Sequence, residues 1–413
     1  GVSYPLVLMT TALFFCCFVF SKNIQRKPAA WVSLGLLLET ACIGVFVALD
    51  LLVFYVFFEI TLVGMYFIIT EWGHEDRKKA GLLFFLYTLV GSLFLLLALL
   101  SLYLHSDPRT FDMRELIATP PLASGTAAGL TFWALVLGFA IKTPIFPFHT
   151  WLPKAHTAAP AAGSAILAGV LLKLGAYGFI RFALQIMPLP FDEYANIIMV
   201  LAVISAVYGA LLALAQTDIK RMVAYTSVNH MGYFLFGVAM SAMASADARA
   251  TALAGSTLQM VSHGVVTGML FLLVGSVQDR TQTREMSTMY GLIHSYPRLS
   301  ALFLLGAFAS LGLPGLAHFP AEFQIFLGGF AVSPIAVLFI LSGLAITAAL
   351  YLRSINSVFL GKAKQGITKP DLTAREAWSI GPLAVFTIAL GVYPAPLLNL
   401  IHATTQSIGT LVQ

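Results

Sequence analysis

Six ionisable side chains stand inside apolar runs of this sequence, where water should be absent: Glu59, Lys142, Lys173, His230, His263 and Glu322. Lys142 is the sharpest case. It lies near the middle of residues 129–148 (GLTFWALVLGFAIKTPIFPF), directly before Thr143 and Pro144 and shortly before Pro147. A lysine at the centre of a bilayer costs about 2.5–3.5 kcal/mol on insertion scales and more by other estimates, so such residues mark ion pathways, proton relays or counter-ions. Lys173 lies in 165–177 (AILAGVLLKLGAY) with no carboxylate beside it. Glu59, in 53–65 (VFYVFFEITLVGM), is the natural counter-ion for one of the two lysines. Several titratable groups strung through a dry bundle point to proton transfer. They do not make a redox site. The competing reading of Glu59 and Lys142 is a static buried pair, which stabilises little because desolvation offsets the attraction.

His230 (TSVNHMGY) and His263 (QMVSHGVV) admit three readings: a hydrogen-bonded core histidine, a member of a proton relay, or one of a pair of axial haem ligands. Neither begins a His-x-x-x-His spacing, so no metal site is expected. His149 and His156 flank Trp151–Lys154 and fit an interfacial edge, where they take up protons or cap polar backbone. There is no Gly-rich nucleotide loop, no Cys-x-x-Cys and no nucleophile elbow, so no cofactor and no stand-alone enzyme chemistry is expected in this chain. Glycine spacings such as those over 163–178 report close helix packing.

The elements that must hold these residues are membrane helices. The chain has 413 residues, 59% hydrophobic and 10% charged, with a mean hydropathy of +0.88. Soluble domains carry roughly 25% charged residues. The composition therefore gives an all-α polytopic membrane protein. The apolar runs fill the chain, unlike a single signal peptide. Cys16, Cys17 and Cys42 lie in apolar segments, with neither a disulfide frame nor a paired metal spacing. A net charge of +5 carried in loops is no nucleic-acid signature.

About twelve spans are expected, near 4–20, 30–49, 51–70, 80–104, 129–152, 164–186, 194–215, 222–240, 251–276, 299–330, 333–360 and 378–401. Assigning loops to alternate sides puts sixteen Lys and Arg on one face, among them Lys22, Lys78, Arg280 and Lys364, and four on the other: Arg109, Arg114, Arg181 and Arg249. Basic loops stay cytoplasmic, so both chain ends are expected outside. Arg353 snorkels from its span. Residues 106–118 read as a surface helix or loop on the outer side.

Two spans are interrupted. The first break, 142–147, carries Lys142. The second, 313–320 (LPGLAHFP), is followed by Glu322. They fall on the fifth and tenth spans, and an odd shift inverts topology. Paired discontinuous helices in inverted repeats are a transporter device. The alternative is that Pro and Gly merely kink these helices. The expected organisation is 1–29, an N-terminal helix and loop; 30–186 and 187–361, two inverted five-helix repeats; and 362–413, a cytoplasmic loop and C-terminal helix.

Residues 142–182 (KTPIFPFHTWLPKAHTAAPAAGSAILAGVLLKLGAYGFIRF) resemble the antiporter-like subunit M family of proton-pumping NADH–quinone oxidoreductase, respiratory complex I. So do 48–73, 217–233 (TDIKRMVAYTSVNHMGY) and 258–286, and the similarity runs nearly end to end. The resemblance implies a role for each residue. Glu59 is the carboxylate paired with the broken-helix lysine, Lys142. Lys173 is the central lysine of the channel. His230 and His263 stand between two half-channels, and Glu322 is the terminal acid. The wording around Glu322 (LAHFPAEF) departs from the family's Gly-x-Phe-x-Gly-Glu pattern, which puts the detailed geometry there in doubt.

The resemblance further implies a non-redox subunit of a translocating NADH:quinone oxidoreductase, with NADH, flavin, iron–sulfur clusters and quinone held by other subunits. Its partners would be other membrane subunits, especially two neighbouring antiporter-like subunits, with the lipid bilayer and protons, and no nucleic acid. The location would be the bacterial plasma membrane rather than the mitochondrial inner membrane. The alternative is a subunit of an Mrp-type cation/proton antiporter or of a membrane-bound hydrogenase. Family members have about 14 spans. This chain, which opens Gly1-Val2-Ser3, is expected to lack the first two.

Overall fold

The computed structural model describes residues 1–21, 24, 26–362 and 369–411; Lys22 and Lys364 of the basic face lie outside the described residues. The chain is helical throughout: α1 (Ser3–Phe20), α2 (Pro28–Val47), α3 (Leu51–Trp72), α4 (Arg77–His105), a short α5 (Met113–Ala118), α6 (Thr126–Lys142), α7 (Trp151–Ala158), α8 (Ala161–Leu184), α9 (Pro188–Leu214), α10 (Ile219–Met243), α11 (Ala246–Thr281), α12 (Pro297–Ser310), α13 (His318–Phe330), α14 (Pro334–Phe359), α15 (Ala374–Val392) and α16 (Ala395–Leu411). Among the described residues there is no strand. Two isolated β-bridges, Asp50–Asp112 and Asp218–Glu285, tie loops together.

Among the described residues, eight helices are long and apolar enough to cross a membrane, or nine if the bent pair α15–α16 is one span. The sequence suggested about twelve, and the difference has identifiable causes. α6 and α12 stop at the two breaks after 17 and 14 residues, and α13 resumes for 13. α10 is 25 residues long, but its run TSVNH is polar. The expected last span, 378–401, bends by 68° between α15 and α16. Pro394 restricts the residue before it, and Tyr393 leaves the helical region at φ −136°, ψ 70°. Residues 106–118 contain α5, capped by Asp112 on the Arg114 amide.

The most apolar windows of α8 and α11 are 100% buried, against 39–44% in the other candidate spans. These two helices form the centre. The surrounding helices turn Leu97, Leu130, Ile335 and Trp378 outward, an apolar exterior that suits lipid. The central helices touch backbone to backbone. A Cβ on Gly264 would stand 2.8 Å from the Gly169 carbonyl oxygen. That contact lies one residue from His263 and four from Lys173. α8 is also irregular, with π-helical turns at Leu167–Leu171 and Phe179–Leu184 on either side of the α-helical segment that carries Lys173. Such turns re-aim side chains and often mark functional positions.

Polar anchors fix the helix ends. Asp50 accepts from the Leu52 and Val53 amides at the start of α3, and Asp218 from the Lys220 and Arg221 amides at the start of α10. Arg249 donates to the Ser241 and Ala244 carbonyls at the end of α10. On the basic face, Arg280 of α11 grips Glu376 of α15 through two hydrogen bonds of 2.7 Å, with both side chains about 5% exposed or less. Removing one partner of a buried pair strands the other. Arg280→Ala is therefore expected to cost about 3 kcal/mol, read as a lower thermal midpoint of the purified assembly. Replacing both partners by apolar residues should restore most of the loss.

Candidate functional site

The six candidate residues fall into two clusters. The first surrounds Lys142 at the end of α6, where Pro144 and Pro147 prevent the helix from continuing. Its side chain is 2% exposed. Nζ donates to Thr61 Oγ1 at 3.3 Å and stands 4.8 Å from the centroid of the Phe58 ring. Glu59, on the same helix α3, lies within electrostatic range of Lys142 but makes no salt bridge with it in this structure. Ser92 of α4 lies beside the Glu59 carboxylate, whose Oε1 is buried without a hydrogen-bond partner. Glu59 and Lys142 are thus electrostatic neighbours without direct contact.

The second cluster is a string through the centre. Lys173 Nζ, fully buried, donates to the Ala168 carbonyl at 2.6 Å and meets His263 Nδ1 at 2.5 Å. The His263 ring lies 5.6 Å from His230 and 6.2 Å from His318, and His230 stacks on His318 at 4.4 Å. His230 Nδ1 is 3.4 Å from Glu322 Oε1. Gln259 of α11 also borders Glu322. Lys173, His263, His230 and Glu322, picked out separately in the sequence, come together here. His318, which stands in the second break and to which the sequence assigned no role, belongs with them.

No hydrogen bond joins Lys142 to Lys173. What brings α6 against α8 is Gly175, where a Cβ would stand 2.9 Å from Lys142 Cβ and 2.8 Å from the Phe139 carbonyl oxygen. At the second break, Gly312 has φ +70°, and a Cβ there would stand 2.4 Å from Glu322 Oε2. Gly312→Ala should therefore both strain the backbone and displace the carboxylate. Proton transfer through an assembled complex is expected to fall about tenfold or more, as measured by dye quenching in proteoliposomes. An unchanged rate would remove Glu322 from the path. Gly391 of α15 seats against the backbone of Gly315 and Leu316, pressing the bent helix pair onto the same break.

Three further histidines stand outside these clusters. His156 of α7 is fully buried and stacks on Phe271 at 4.5 Å, with neither ring nitrogen hydrogen-bonded. Lys220, also buried, donates to the Ala159 carbonyl at 2.5 Å. A cavity of about 610 Å³ opens beside them, lined by Glu75, Asp76, Lys79, Lys154, Arg221 and Arg284. In the loop next to it, burial first, and then Lys220 and Arg284, push His74 down to about 4. Its imidazole is therefore neutral near pH 7. His149 packs among Phe146, Tyr208 and Tyr225 at the first break. Glu39 is half-buried on α2 and joins neither cluster.

The comparisons with known proteins identify the family. The transmembrane family described as NADH:quinone oxidoreductase/Mrp antiporter matches residues 48–347, a stretch that holds all six expected site residues. The chain is 39% identical over 411 residues to NADH-quinone oxidoreductase subunit M of Rickettsia typhi, covering 99% of this chain and 81% of that one. It is 38% identical over 416 residues to NADH-ubiquinone oxidoreductase chain 4 of Chondrus crispus, covering 100% and 82%. Among solved structures, a chain of respiratory complex I from Thermus thermophilus with bound NADH matches with a TM-score of 0.92 at 34% identity, covering 100% of this chain and 85% of that one. A chain of the Mrp complex from Dietzia sp. shares the fold, with a TM-score of 0.86 at 21% identity over 100% and 85% of the two chains. This multi-pass membrane protein belongs to the NADH:quinone oxidoreductase/Mrp antiporter transmembrane family, in its subunit M branch.

Proposed function

We propose that the chain is a proton-translocating, antiporter-like membrane subunit of an NADH–quinone oxidoreductase, and that its Glu/Lys/His relay is driven by electron transfer in other subunits. The observation that carries this reading is the string of hydrogen-bonding groups from Lys173 through His263, His230 and His318 to Glu322, inside the driest part of the molecule. The link from Lys173 to His263 is a hydrogen bond, the contact that proton exchange between them requires. The two breaks, with Lys142 and Glu322, support twelve spans arranged as inverted five-helix repeats, 30–186 and 187–361.

The proton is taken up from the basic face by Lys142. Glu59 sets how tightly Lys142 holds it. With the carboxylate near and charged, the ammonium is stabilised. With the carboxylate withdrawn or neutralised, the proton leaves toward Lys173. Lys173 passes it to His263 Nδ1. From there it crosses the imidazoles of His230 and His318 to Glu322 and exits on the opposite face. Each charge moved against 100 mV costs about 2.3 kcal/mol. A hundredfold change in the proton affinity of one lysine is worth about 2.7 kcal/mol. Rearrangement of one ion pair therefore has the right size.

The driving energy comes from subunits that hold NADH, flavin, iron–sulfur clusters and quinone; this chain contributes no redox group. Its neighbours are other antiporter-like membrane subunits, and its place is the bacterial plasma membrane. Glu59→Gln keeps the shape and removes the charge that tunes Lys142. It is expected to abolish most pumping while the complex still assembles, measured as acidification per NADH oxidised in proteoliposomes. Normal acidification would show that Glu59 does not set the affinity of Lys142.

A further inference from the structure

The geometry points to a buried divalent transition-metal site at the second break, with His230 Nδ1, His318 Nε2 and Glu322 Oε1 as ligands and Zn²⁺ as the ion they fit. The three residues offer ligand atoms that all lie within 4.8 Å of one another. Each of the three named atoms is buried without a hydrogen-bond partner. The approach of 3.4 Å between His230 Nδ1 and Glu322 Oε1 matches the ligand-to-ligand edge of tetrahedral zinc, about 3.3–3.4 Å for bonds of about 2.0–2.1 Å.

The surroundings are built for such a site. His318 and Glu322 are four residues apart on α13, so both emerge on one face of the helix. The other nitrogen of each imidazole is already held. His318 Nδ1 bonds to the Ala309 carbonyl at 2.9 Å, and His230 Nε2 to Ser310 Oγ at 2.9 Å. Histidines that bind metals hold their second nitrogen in this way, which fixes tautomer and ring direction. Two adjacent residues at the end of α12 therefore aim both imidazoles at the carboxylate. Two imidazoles, one carboxylate and an open fourth position form a zinc donor set. The hard ions Mg²⁺ and Ca²⁺ prefer all-oxygen ligands.

The sequence concealed the site because its ligands come from α10 and α13, and the helical pair is His-x-x-x-Glu. An ion here would occupy the lone pairs that accept the proton on its way to Glu322. This consequence rests on the relay proposed above; the binding itself does not.

The test uses the purified, assembled complex, exposed to ZnCl₂, desalted and assayed for zinc by mass spectrometry. Wild type is expected to retain about one more zinc per complex than His318→Gln or Glu322→Gln. Its zinc-edge absorption spectrum should show nitrogen and oxygen neighbours at about 2.0–2.1 Å, with imidazole scattering and no sulfur. Ser310→Ala keeps all three ligands, frees the His230 ring and should weaken retention about 10–100-fold, so the comparison survives if either ligand variant fails to assemble. Equal zinc in wild type and variants, or sulfur in the first shell, would overturn the site. Proton pumping measured with and without zinc separates the two proposals. Zinc held with the expected ligands while pumping continues would count against the relay and for the site.

Discussion

Lys142→Ala leaves an assembled complex in which proton transfer through this chain falls about 10²-fold or more. The residue is 2% exposed and has one hydrogen bond, to Thr61 Oγ1. Burying an ammonium with so little compensation is costly. Its removal should thus spare folding, and the loss should be one of function. Lys142→Arg distinguishes proton exchange from simple charge. A guanidinium stays protonated at any accessible pH. It would keep the field that Glu59 feels yet release nothing, so it should fail nearly as badly as alanine. Pumping restored by arginine would reduce Lys142 to an electrostatic role.

Lys173→Met has the second large effect. The methionine fills similar volume without a proton to exchange, and it leaves His263 Nδ1 without its donor 2.5 Å away. Because Lys173 feeds the whole string to Glu322, pumping should fall about 10²-fold, further than in Glu59→Gln, which alters only the affinity of the preceding lysine. The readout is dye quenching in proteoliposomes, normalised to assembled complex. If Lys173→Met pumps as well as wild type, the central string is not the path.

How much of this was legible in the sequence follows from what each signal depends on. Lys142, Lys173, Glu59 and Glu322 stood out because a charge within a membrane-length apolar run needs a reason. The breaks were equally visible, since Pro144, Pro147 and Pro314 fall between helices. The fate of Pro394 was less visible. The apolar pattern continues past it, and only the backbone geometry at Tyr393 reveals the 68° bend. Length and hydropathy mark only eight or nine of the twelve expected spans, because helices that stop at a break, such as α6 and α12, are too short to stand out. The joining of Lys173 to His263 depends on α8 and α11 approaching through Gly169 and Gly264, a contact between residues far apart in the chain. His318 received no role from the sequence for the same reason. Its role comes from α13 packing against α10 and α12, which no local spacing records. The lack of a salt bridge between Glu59 and Lys142 is likewise a matter of side-chain placement on two helices.

The most direct measurement is the number of protons moved per NADH oxidised, with both rates recorded in the same proteoliposomes, for wild type, Lys142→Ala and Lys173→Met. The relay predicts that both variants move fewer protons per NADH than wild type, and that combining them lowers the ratio no further, because the two lysines serve one path. A ratio equal to wild type in the assembled double variant would contradict proton translocation through this chain.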